Sequence, residues 1–170
     1  MESLEMYNHR KIDEIRKTSE LIRGTVLSMC IGIEFSISKI LVDFFAKSDK
    51  RSELYRYFLS DTLTFDQKKY TLSSIKDKMD NNKVTKSIVT DLDYIQIFRN
   101  KMAHSDIYLK PDIINSFNGD YVKFINFTNK NYGEIVKVNI NSEDEDRKKL
   151  IYSHPIFEAT ANRVWASLES

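Results

Sequence analysis

Cysteine is almost missing from this chain. A single thiol, Cys30, leaves no partner for an internal disulfide, and a reducing compartment, the cytoplasm, is expected. Glycine (4) and proline (2) are nearly as scarce. A turn-rich β-sandwich needs both, so their scarcity favours long helices. An excess of one charge is missing too. With 26 basic and 25 acidic residues the formal net charge is +1, so no global field draws the protein onto nucleic acid or an anionic membrane. Polyanion binding then needs a local patch, and the largest local surplus of Lys and Arg falls in 47–101. The segment MESLEMYNHR carries charges and no apolar core, unlike a secretory signal. His9, His104 and His154 are scattered, and no Cys/His/Asp spacing resembles a metal site, so neither metal nor cofactor is expected.

What remains is an ordinary soluble composition. The 170 residues are 41% hydrophobic and 30% charged, which fits one globular domain over 1–170. Residues 9–23 are expected to form a helix with Ile12, Ile15 and Ile22 on one side. In 26–45, Val26, Cys30, Ile33, Ile37, Ile40 and Phe44 recur at steps of four and three, the strongest helical signal in the chain. This stretch has the length of a membrane span, but Glu34, Lys39, Asp43 and three serines mark it as a core helix, and no membrane is expected. Ser48 and Asp49 open a further helix with Leu54, Tyr55, Phe58 and Leu59 inward. Thr64-Phe65-Asp66-Gln67 is a capping box for a helix over 65–79. The next helix, about Val84 to Ala103, turns Ile88, Leu92, Ile95, Phe98 and Met102 inward.

The character changes after residue 106. Pro111 and NSFNGD mark a loop, and YVKFINF and EIVKVNI are β-like with turn residues between them. The expected layout is a helical bundle over 1–106, a loop and β-hairpin over 107–141, and C-terminal helices over 142–170. A capping box, SEDE, opens the last part. His154-Pro155 reads as a break there, before a face of Phe157, Ala161, Val164 and Leu168.

The stretch that can carry chemistry is FRNKMAHSD, residues 98–106. Asn100 and His104 are four apart and share a helix face. Arg99 is five residues before His104, about 140° away on a regular helix. Both aim at one atom only if the helix ends at His104 or if two chains meet across a dimer axis. These residue types suit RNA cleavage. Neutral His can take the 2′-hydroxyl proton or protonate the leaving oxygen. Arg can hold the phosphate bidentately and stabilise the charge that builds up on it. Asn100 can orient the imidazole or donate to a phosphate oxygen. Two supporting acids stand nearby in the pattern. Glu34 can pair with Arg99 or another base, or face solvent beside Ser38, and Asp106 can tune His104. The competing reading is structural: His and Arg in a last helical turn interact well with its carbonyls and dipole.

IFRNKMAHSD resembles the signature of HEPN domains, the small helical bundles of prokaryotic toxins, antiphage systems and RNA-processing enzymes. Their motif is Arg, four to six residues, then His, very often with Asn directly after Arg. Arg99, Asn100 and His104 fit it. The order of an apolar helix carrying Glu34, a helix introduced by TFDQKK and the motif helix is also similar to the mannitol operon repressor branch of helical proteins. The resemblance covers roughly residues 20–106. It implies a mainly α, antiparallel HEPN-like bundle; the small β-hairpin expected before the C-terminal helix is read from the residues and lies outside the resemblance. It further implies a metal-independent endoribonuclease, a toxin or antiphage effector working as a homodimer on RNA, with an antitoxin or defence partner. Arg99 and His104 would be catalytic and Asn100 supportive. Some HEPN toxins carry Tyr two residues after the His; here that position is Asp106. The alternative implied by the repressor branch is a non-catalytic regulator or protein-interaction module.

Overall fold

The structure is a computed structural model. It describes residues 4–59, 63–79, 84–107, 109, 111–116, 121–126, 134–139 and 154–169. The described chain is mainly helical. Helix α1 (Leu4–Phe45) leads through a 3-10 turn, Ser48–Lys50, into α2 (Arg51–Leu59). Then come α3 (Phe65–Ile75), α4 (Lys86–His104), β1 (Ser105–Ile107), α5 (Pro111–Ser116), β2 (Tyr121–Asn126), β3 (Glu134–Asn139) and α6 (His154–Glu169).

One helix of 42 residues stands where two, 9–23 and 26–45, were expected. The buried positions explain the continuity. Ile15, Ser19, Ile22, Val26, Cys30, Ile33 and Ile37 are buried and follow one another at steps of three and four, in phase through the joint. Gly24 sits on the exposed side, with nothing within 4 Å of the place a Cβ would take. The penalty for glycine in a helix interior, about 1 kcal/mol, is too small to end an element held by such a row. By length and composition α1 contains a window able to cross a membrane, and 44% of that window is buried inside the protein.

Packing divides the chain into two compact units. The first comprises 1–27 and 98–158, the second 28–97 and 159–170. In the first, Ile15, Ile22, Val26, Phe98, Met102, Val122 and Phe157 are buried. The rings of Phe98 and Phe157 stack at 4.7 Å between centroids, 19° from parallel. Here β2 pairs antiparallel with both β1 and β3, with Ser105 opposite Asn126 and Val122 opposite Val138. The segment around Pro111, expected to be loop, contains α5. Proline fits the first helical position, where its missing N–H costs nothing.

Among the described residues the second unit has the larger apolar core, with Ile33, Ile37, Leu41, Leu72, Leu92, Ile95, Ala161 and Val164 fully buried. Thr64 caps α3 as expected: its hydroxyl accepts from the Gln67 N–H, and the Gln67 side chain accepts from the Thr64 N–H at 2.8 Å. Trp165 of α6 lies over Gly32 of α1, so closely that a Cβ on Gly32 would stand 2.7 Å from the indole. His154 and Pro155 open α6, with proline in the first turn. The SEDE segment lies outside the described residues.

Candidate functional site

The end of α4 is oriented by what it buries. Ile88, Leu92, Ile95, Phe98 and Met102 are all buried, which fixes the rotation of the helix about its axis. Arg99 is consequently half-buried at the edge of that row, and Asn100 and His104 are exposed on the far side. Ile97, 44% exposed, lies on the same outward face.

The helix is regular through His104 and passes into β1 with no intervening loop. Its last turn is closed by neighbours of the motif rather than by the motif itself. The Ser105 hydroxyl donates to the Met102 carbonyl at 3.3 Å. Arg23 of α1 donates from Nη2 to the Ser105 carbonyl at 3.0 Å, which places a cation at the negative end of α4. Among the described residues, the side chains of Arg99, Asn100 and His104 make no hydrogen bond or ion pair. The capping role that competes for Arg99 and His104 is therefore filled by Ser105 and Arg23.

A regular helix through His104 leaves Arg99 and His104 about 7.5 Å apart along the axis and about 140° apart around it. Of the two geometries able to join them, the helix that ends at His104 is formed, since β1 begins at Ser105. A second chain across a dimer axis is the other.

The supporting acids go elsewhere. Asp106 accepts from the N–H of its neighbour Ile107 at 2.7 Å. Glu34 takes a base, and that base is Lys68: Nζ and Oε1 are 2.6 Å apart, with the lysine side chain 3% exposed and the glutamate 26%. Ser38 donates to the Glu34 carbonyl at 2.9 Å, so the serine serves the backbone of α1 and not the carboxylate. Burial holds the Lys101 ammonium, next to Asn100, below the ordinary lysine range. Neither Arg23 nor Lys101 was singled out in the sequence. Arg23 matters through Ser105, 82 residues away in the chain, which helical periodicity does not encode.

A cavity of about 540 Å³ lies between α3 and α4 in the second unit and is lined by Asp66, Lys69, Tyr70, Val89 and Asp93 among others. None of the motif residues lines it. Lys69 is locked across its wall, 2.5 Å from Asp93, 2.6 Å from Gln96 and 3.1 Å from Asp66. Burial alone would lower the Lys69 pKa, but hydrogen bonds to Asp93 and Asp66 outweigh it and raise it. The hydrogen bond from Lys69 and its charge lower the Asp66 pKa. Lys69, Asp66, Asp93 and Gln96 thus form a bonded structural hub. Among the described residues no group of His, Cys, Asp and Glu is placed to hold a metal ion.

Searches of known protein families, curated proteins and solved structures find no match to this chain.

Proposed function

We propose that the protein is a HEPN-like, metal-independent endoribonuclease that acts as a homodimer, with Arg99 and His104 contributed to each site by different chains. The observation that carries this reading is the combination at the end of α4. Arg99, Asn100 and His104 match the motif, project at or near the surface, and have no structural bond among the described residues.

In the proposed reaction, neutral His104 takes the proton of a ribose 2′-hydroxyl. The 2′-oxygen attacks phosphorus and the bond to the 5′-oxygen breaks. The departing oxygen is protonated, leaving a 2′,3′-cyclic phosphate and a 5′-hydroxyl end. Arg99 of the facing chain holds the non-bridging oxygens, on which charge builds up. Asn100, on the same helix face as His104, orients the imidazole or donates to the phosphate. A cytoplasmic toxin or antiphage effector, with an antitoxin or defence partner, is the biological setting this chemistry suits.

The test is RNA cleavage by purified protein in EDTA. His104→Ala and Arg99→Ala should each lower the rate by at least about 100-fold. Both sites are solvent-facing or at the edge of the core, so both variants should keep the wild-type unfolding midpoint. Mixing the two variants should then restore roughly a quarter of the wild-type rate, because half the dimers are mixed and one of the two sites in each is intact. No restoration on mixing would overturn the two-chain site, and no cleavage by folded wild type would overturn the ribonuclease reading.

The second reading is a non-catalytic regulator or interaction module, similar to the mannitol operon repressor branch. It is favoured by the position of the α3–α4 cavity, which none of the motif residues lines, and by the near-neutral charge. On this reading His104→Ala leaves function intact.

A further inference from the structure

The proposed site places its histidine at the unfavourable end of a helix for an anion. His104 is the last residue of α4. The last turn of a helix leaves carbonyls without helical partners and carries roughly half a negative charge. A phosphate brought to His104 therefore meets a field that repels it. The repulsion grows as the 2′-oxygen adds to phosphorus and charge builds up on the non-bridging oxygens. A site built this way needs a fixed cation behind the helix end.

Arg23 supplies one from outside the motif and outside α4. Its Nη2 donates to the Ser105 carbonyl at 3.0 Å, across 82 residues of chain. Ser105 directly follows His104, so backbone dimensions put that nitrogen within about 9 Å of the His104 Cα. That is close to one screening length at physiological salt, and the charge is felt there. The connection is stiff at both ends. On α1, Arg23 stands between Ile22 and Val26, which are both buried. At the other end Ser105 is itself buried, donates its hydroxyl to the Met102 carbonyl and pairs with Asn126 of β2. A residue held from three directions passes the position of the guanidinium on to the neighbouring Cα, which carries the imidazole.

We infer that Arg23 is a positioning residue for the reaction. It acts through Ser105, fixing the backbone that carries the His104 imidazole and offsetting the negative end of α4 where the phosphate gains charge. Its effect on rate rests on the ribonuclease reading; its hold on His104 does not. A cap that served the fold alone would change the unfolding midpoint and leave the kinetics of the folded protein untouched.

The experiment compares two variants of the full chain, with circular dichroism as a control for folding. Arg23→Met has similar length but neither donor nor charge, and Arg23→Lys keeps both. In RNA cleavage with EDTA, Arg23→Met should lower kcat roughly tenfold and leave KM within about twofold, because the lost interaction strengthens in the transition state. Arg23→Lys should return kcat to within about threefold of wild type, since it restores a cation at the same carbonyl. The second readout is the nuclear magnetic resonance signal of the His104 Cε1–H, assigned by its loss in His104→Ala. At fixed pH it should move in Arg23→Met and return toward its wild-type position in Arg23→Lys. This readout needs no cleavage. A wild type that cleaves no RNA would overturn the ribonuclease reading, and the His104 signal would still decide whether Arg23 positions that residue. A folded Arg23→Met with wild-type kcat, an unmoved His104 signal, or no rescue by lysine would overturn the positioning role. A raised KM at unchanged kcat would overturn it in favour of direct contact with RNA. Should Arg23→Met fail to fold, Arg23→Gln takes its place with the same outcomes.

Discussion

The two ends of α4 treat charge in opposite ways. In the second unit, Asp91 takes both the Nε and Nη2 donors of Arg163 at 2.8 Å. Asp93 and Gln96 take Lys69, and on the neighbouring helices Glu34 takes Lys68. In the first unit, Arg99, Asn100 and His104 take nothing among the described residues. Polar groups that hold a fold use up their hydrogen-bonding capacity within it, whereas groups that act on a ligand must keep that capacity open. The same helix carries both bonded and open polar groups, and the change comes where its buried row hands over from Ile95 to Phe98.

The comparison breaks most visibly at Lys68. Lys68→Ala removes a buried cation and strands Glu34, and should cost about 3 kcal/mol in urea unfolding, because breaking one side of a buried pair leaves the other uncompensated. Replacing both partners by apolar residues of similar volume, Lys68→Met with Glu34→Leu, should recover most of that loss. RNA cleavage measured well below the unfolding midpoint should be unchanged in either variant. A specific loss of cleavage in the folded single variant would show that the pair supports the site and not only the core.

A smaller effect separates the two glycines of α1. Gly32→Ala pushes a methyl into Trp165 and should lower stability by about 1–3 kcal/mol, the ordinary cost of overpacking. Gly24→Ala meets open space and should raise it by about 0.5–1 kcal/mol, because alanine is the better helix residue. Thermal unfolding of the two variants at low protein concentration reads both signs.

The smallest effect is with pH. Lys69 lowers the folded pKa of Asp66, so the stability from Asp66 is present above the ordinary carboxylate range and is lost as pH falls through the folded value. The folded pKa of Lys69 is raised, so its contribution is present at neutral pH and is lost only as alkali carries it through that value. Asp66→Asn should flatten the acid limb of the stability profile and leave the alkaline limb largely in place, since Asp93 still holds Lys69.

Much of the helical architecture was legible in the sequence because it rests on repetition. Ile88, Leu92, Ile95, Phe98 and Met102 were assigned inward by spacing, and all five are buried. So are Phe157, Ala161, Val164 and Leu168 on α6. The cap at Thr64 was legible because its two bonds span only three residues. The continuity of α1 was not, because Arg23-Gly24-Thr25 reads locally as a joint and the row that overrides it extends far to either side. Nor was the fate of two adjacent lysines. Lys68 and Lys69 look alike in sequence, yet one is buried against Glu34 and the other spans Asp66 and Asp93. Which way each turns depends on partners 24 to 34 residues away. The candidate residues at 99, 100 and 104 were legible as types in a pattern. Their exposure, and the regular helix that keeps Arg99 and His104 apart, had to come from the fold.

The direct passage from α4 to β1 makes His104 part of a mechanical linkage. One peptide bond separates it from Ser105, which is held by Arg23 on one side and set opposite Asn126 on the other. A strand can shift its pairing only in whole-residue steps, each of which turns its side chains to the opposite face. The backbone that aims His104 is thus indexed, like a ratcheted wheel, to the register of the sheet. A change of that register would move His104 by a discrete step and not by a gradual drift.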